Sequence, residues 1–134
     1  MDDTAGALAS AGSARPLVLV VDDNPDALAI CSRALNAAGY RAVTAASATD
    51  ALARFDELNP AVVVLDLVMP EQDGFQAARN IRARVGTALP ILVFTALGAD
   101  AERQAREAGA TAFCTKPLEP RRLVDQVRRL CPAG

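Results

Sequence analysis

The 134 residues contain no apolar run approaching the roughly 18 positions a membrane-spanning helix needs. Two acids, Asp2 and Asp3, stand at the start, where a secretory signal would carry positive charge. A cytoplasmic protein with no membrane contact is expected. Cysteine is scarce: Cys31, Cys114 and Cys131 are odd in number, widely spaced and free of CxxC pairing. That argues against a disulfide framework or a thiolate zinc site and leaves reduced thiols without a redox role. Basic excess is absent too, with 14 Lys and Arg against 16 Asp and Glu. A chain built to neutralise nucleic-acid phosphates shows the opposite balance, so no direct nucleic-acid contact is expected. Aromatics number only five and Ala 29, so the core has to come from Val, Leu, Ile and Phe. Lysine occurs once, as Lys116, beside 13 Arg.

What is present is enough for one domain with a single core and no separate output module. Residues 1–15 are mostly Ala, Gly and Ser, which bury too little surface to offset the entropy of ordering, and read as a flexible tail. From Pro16 onward three continuous apolar runs, 17–21, 61–65 and 91–95, suit strands buried on both faces. Weaker strand signals lie at 41–45 and at 111–115, where Cys114 is placed in a buried strand.

Between the strands the spacing is helical. Leu28, Cys31, Leu35 and Ala38 form one stripe, and Gly74, Ala78, Ile81 and Val85 another, each facing a sheet. Gly39 and Gly109 follow predicted helix ends, and Ser47 with Asp50 resembles a capping box. The last helix starts at Pro120, turns Leu123, Val127 and Leu130 inward, and shows Arg121, Arg122, Arg128 and Arg129 outside, with Asp125 four positions from Arg121 and Arg129. Cys131 lies near its exposed end. Strands alternating with helices of ten to fifteen residues from Pro16 to about Pro132 predict an α/β fold, a doubly wound (βα)5 parallel sheet.

In such sheets the chemistry lies at the carboxyl ends of the strands. Asp22-Asp23 end the first strand, Asp66 the third, Thr95-Ala96 the fourth and Lys116-Pro117 the fifth. Three carboxylates on one rim repel one another unless a cation sits among them, and oxygen ligands suit a hard ion such as Mg²⁺ or Mn²⁺. Plainer readings exist for several of these residues. Asp22 and Asp23 also suit a turn and helix cap before Asn24-Pro25, Lys116 suits a surface, and the arginines of the last helix suit a solvated face. Asp66 is harder to explain that way, because an unpaired charge leaving an apolar strand is costly in a core.

The stretches VVDDNPD, VVVLDLVMPEQDGF, ILVFTA and FCTKP, in that order, resemble the receiver domain of two-component response regulators. The resemblance covers residues 16–132, leaving 133–134 as the C-terminal end. It implies a flavodoxin-like sheet in strand order 2-1-3-4-5 and a phosphorelay role. Asp66 would be the phosphoacceptor; Asp22, Asp23, Asp66 and the Val68 backbone carbonyl would serve the metal, Asp22 largely through a bound water. Thr95 and Lys116 would hold phosphoryl oxygens, Ala96 would leave access, and Phe113 would rotate inward as a switch. Gly74 would allow close backbone approach, and Lys116-Pro117 would be a cis bond. Val68 and Leu97 occupy the two positions that tune phosphoryl lifetime in such domains, and their bulk predicts slow hydrolysis.

The partners implied are a histidine kinase or histidine phosphotransfer protein and a downstream protein target or kinase domain. Phosphorylation-dependent dimerisation and docking on the Arg121, Arg122, Arg128 and Arg129 face are further expectations. Such a domain catalyses only its own phosphorylation and dephosphorylation. Three other readings compete. A haloacid-dehalogenase-type phosphatase needs an acid two residues after its nucleophile, where this chain has Val68. A flavodoxin-like cofactor binder needs a phosphate loop where this chain has acids. A non-phosphorylated scaffold receiver would normally lose one of the acids, Thr95 or Lys116. Met1 and the end just after the last helix favour a stand-alone regulator over a receiver cut from a longer chain.

Overall fold

The computed structural model describes residues 15–69, 72–117 and 119–133; all but the last residue of the expected flexible tail lies outside them. Strands β1 (Leu17–Val21), β2 (Arg41–Ala45), β3 (Val62–Leu65), β6 (Ile91–Thr95) and β7 (Ala112–Thr115) form one sheet. Its order is β2-β1-β3-β6-β7, with every pairing parallel. This is the predicted 2-1-3-4-5 order once a small antiparallel pair, β4 (Val68–Met69) with β5 (Gln72–Asp73), is set aside.

The three central strands are buried along their whole length, which is why they read as unbroken apolar runs. Alternate residues serve opposite faces. Val18, Val20, Val62 and Val64 pack under α1 (Pro25–Ala37) and α6 (Pro120–Leu130), while Leu19, Val21, Val63 and Leu65 pack under α2 (Ala48–Ala53) and α4 (Gly74–Val85). β7 lies at the sheet edge and is only half-buried, so Cys114 is less enclosed than its apolar run suggested.

Caps set the helix boundaries. Asn24, rather than either aspartate before it, caps α1, its side chain accepting from the N–H of Asp26 and Ala27 with Pro25 in the first turn. Ser47 accepts from the Asp50 N–H, but Asp50 turns its carboxylate to Arg54, so only half of the capping box forms. The helix after Ser47 breaks at Arg54, leaving α2 and a single turn, α3 (Phe55–Leu58). α5 (Glu102–Glu107) is also short, following a 3₁₀ turn. In α6, Leu123, Val124 and Val127 are buried while Leu130 is only partly so, and Asp125 lies 3.9 Å from Arg128 rather than pairing with Arg121 or Arg129.

Three polar anchors have no obvious sequence signal. Tyr40 is fully buried and its hydroxyl donates to the Cys131 carbonyl at 2.6 Å, tying the α1–β2 turn to the end of α6. Arg15 donates to the carbonyls of Asn36 and Tyr40, so this last residue of the expected tail is docked. Arg82 donates to the carbonyls of Gly86, Leu89 and Gly109 at 2.7 Å each and to the Thr111 hydroxyl at 3.3 Å. It joins the end of α4 to the turn after α5. Arg82→Ala strands those carbonyls, and a loss of about 2 kcal/mol is expected in urea unfolding.

Candidate functional site

β1, β3 and β7 end on the same rim, and the residues that follow them meet there. The Lys116 ammonium donates to Asp22 Oδ2 at 2.7 Å and to Asp66 Oδ2 at 3.2 Å. Asp22 and Asp66 are 4% and 6% exposed, whereas Asp23 is exposed. One oxygen from each of Asp22, Asp23 and Asp66 can be chosen so that all lie within 4.8 Å of one another. Burial alone would lower the Lys116 pKa, but the hydrogen bonds and charges of Asp22 and Asp66 outweigh it and hold the ammonium above the ordinary lysine value.

The local backbone builds each carboxylate. Asp22 Oδ1 accepts from the Asn24 N–H at 3.0 Å, so Asp22 makes the turn of the plainer reading and faces the cluster too. Asp66 Oδ1 accepts from the Val68 N–H at 3.0 Å, fixing its orientation. Gly74 abuts this turn, since a Cβ there would lie 2.1 Å from the Leu67 carbonyl oxygen. Asp73 caps α4 by accepting from the Phe75 N–H.

The other expected residues are distributed around this centre. Thr95 is fully buried, with its hydroxyl accepting from the Leu97 N–H at 3.3 Å. Ala96 is exposed, as are Val68 and Leu97, two of the large apolar side chains open to solvent. Phe113 is half-buried against the cluster of Leu67, Val93 and Ala105. The Lys116–Pro117 peptide is cis. Arg121, Arg122, Arg128 and Arg129 are all exposed on α6. Arg128 also donates to the Ala38 carbonyl at 3.5 Å. One neighbour had no mark in the sequence: the Phe94 ring, with Lys116 Nζ 5.3 Å from its centroid. Burial pushes the Cys31 and Cys114 thiols up to about 11.

Among the described residues one ammonium faces three carboxylates, an excess of negative charge in an all-oxygen donor set. That set fits a hard divalent cation held by Asp22, Asp23 and Asp66.

Residues 18–128 match the response regulator receiver domain. The chain belongs to that family. It is 38% identical over 114 residues to the probable transcriptional regulator ycf27 of Cyanophora paradoxa, covering 84% of this chain and 47% of that protein. Among solved structures, the chemotaxis protein CheY4 of Vibrio cholerae superposes with a TM-score of 0.81 at 30% identity, covering 87% of this chain and 99% of that one. A 14.6 kDa protein of Leptolyngbya boryana is 34% identical over 118 residues, covering 87% of this chain and 90% of its own. The receiver spans about half the length of most of the curated relatives it matches first. Among the described residues no helix is long and apolar enough to cross a membrane.

Proposed function

We propose that this receiver takes a phosphoryl group onto Asp66 from a phosphohistidine and thereby changes a partner-binding face. The observation that carries the reading is the convergence of Asp22, Asp23, Asp66 and Lys116 at one rim. These 134 residues contain no histidine, so the donor imidazole is not within this domain; a histidine kinase or phosphotransfer protein supplies it.

Asp66 attacks phosphorus in line: an oxygen–phosphorus bond forms, the donor's bond to phosphorus breaks, and its electron pair leaves with the donor. Asp22, Asp23 and Asp66, with the Val68 carbonyl, would hold Mg²⁺ or Mn²⁺, which when bound would supply charge neutralisation for the phosphoryl oxygens. Lys116 neutralises another of them, already poised on the Asp66 carboxylate. Thr95 gives up its Leu97 contact to hydrogen-bond the product, and Phe113 follows inward, which carries a local charge change to the surface around α5, β7 and α6. The exposed arginines of α6 lie on that surface and mark it for a protein target, a kinase domain or a second copy. The domain turns over no outside substrate, because Val68 occupies the position where a phosphatase needs an acid. A cytoplasmic location follows from that partnership.

The test is intact mass after incubation with acetyl phosphate, with and without Mg²⁺. A gain of one phosphoryl group that EDTA abolishes supports the reading; no gain in a folded protein favours a non-phosphorylated scaffold. Lifetime is a separate prediction. Val68 is 49% exposed and Leu97 37%, and in this reading both would flank water's approach to Asp66. Val68→Asn, which replaces an apolar screen with a group that can hold water, should shorten the phosphoryl half-life several-fold. An unchanged half-life would show that Val68 does not screen the bond.

A further inference from the structure

We propose that Phe94 is a positioning residue for Lys116, its ring face holding the ammonium over the rim where phosphoryl transfer takes place. This rests on the phosphoacceptor reading above.

Phe94 precedes Thr95 at the end of β6 and is 8% exposed. Its register partner on β7 is Cys114, and Lys116 follows two positions later, with the same strand parity. Phe94 and Cys114 both belong to the cluster beneath α1 and α6, so the Lys116 stem reaches the rim along the face that the ring occupies. The Lys116 N–H donates to the Thr95 carbonyl at 2.7 Å, which pins the base of that stem beside the ring. At its far end Nζ lies 5.3 Å from the ring centroid, inside cation–π range. The Lys116 side chain is 21% exposed, so the attraction acts where water competes poorly.

An ammonium has three donors and no acceptor. Two of its contacts are Asp22 and Asp66, and Asp22 is the nearer. When Asp66 becomes an acyl phosphate its charge moves outward onto the phosphoryl oxygens, while Asp22, the nearer partner, still draws Nζ aside. The negative face of the ring opposes that movement without using a donor. A Leu or Met would fill the same space but offer no such face.

Because Lys116 is the only lysine, labelling lysine with ¹³C at the ε carbon gives a single resonance to follow. In the wild type its attached protons should be shifted upfield by the ring current, and Phe94→Leu should remove that shift. An unshifted wild-type resonance overturns the proposal whatever the variants do. In acetyl phosphate reactions with Mg²⁺, Phe94→Leu should lower the phosphorylation rate about fivefold, with Phe94→Met in its place if that variant does not fold. Phe94→Tyr should restore the rate. In a Lys116→Met background, Phe94→Leu should cost nothing further. Equal losses with and without Lys116, or no rescue by Tyr, would overturn the proposal and leave Phe94 a packing residue. A wild type that is never phosphorylated would instead overturn the phosphoacceptor reading, and this one with it.

Discussion

Asp66→Asn is expected to abolish phosphorylation by acetyl phosphate while leaving the domain folded. The amide matches the carboxylate in shape, and its oxygen can still accept from the Val68 N–H, so the turn at the end of β3 is kept. What is lost is the nucleophile: an amide oxygen carries no negative charge, so the rate should fall by several orders of magnitude. The Lys116 contact also loses its charge. Asp56→Asn is the matching control, because Asp56 is exposed on α3 and pairs with Arg84, far from the rim. It should be phosphorylated at the wild-type rate. Intact mass of both variants after the same incubation checks the prediction, and labelling of Asp66→Asn at the wild-type level would remove Asp66 from the mechanism.

Gly74→Ala is expected to destabilise the domain by about 3 kcal/mol or more. A Cβ at this position would lie 2.1, 2.3 and 2.5 Å from the oxygen, Cα and carbonyl carbon of Leu67, all backbone atoms that cannot swing away. Relief requires moving either the start of α4 or the chain between Asp66 and Val68. Moving that chain disturbs the contact that orients Asp66, so slower phosphorylation should accompany the lost stability. Gly98→Ala provides the contrast, since a Cβ there meets nothing within 4 Å, and a change within about 0.5 kcal/mol is expected. Urea midpoints for the two variants separate a steric requirement from a general cost of replacing glycine. Equal midpoints would contradict the close approach of Leu67 and Gly74.

The sheet was legible because its central strands are buried on both faces and therefore apolar at every position, a pattern few other elements share. The rim was legible for a related reason: charged residues directly after such runs have nowhere to go but the strand ends. The pairing of 68–69 with 72–73 was not, since two-residue strands are too short to show any alternation. Nor was the break at Arg54, where the side chain turns back to Thr44 and Asp50 in a way that spacing does not encode. Tyr40 and Arg82 left no mark because the backbone carbonyls of Cys131 and Gly109, which they reach, lie far away in sequence. The Phe94–Lys116 contact depends on the register between β6 and β7, which becomes visible only when the strands are paired.

The central claim is that Asp66 receives the phosphoryl group, and borohydride trapping tests it most directly. Reduction of an aspartyl phosphate converts that residue to homoserine. Trypsin then releases residues 55–79, which contain Asp56, Asp66 and Asp73, as one peptide. Tandem mass spectrometry should place homoserine at Asp66 alone, and only when both Mg²⁺ and acetyl phosphate were present. Homoserine at Asp22, Asp23 or Asp73, or trapping unchanged by EDTA, would contradict the account.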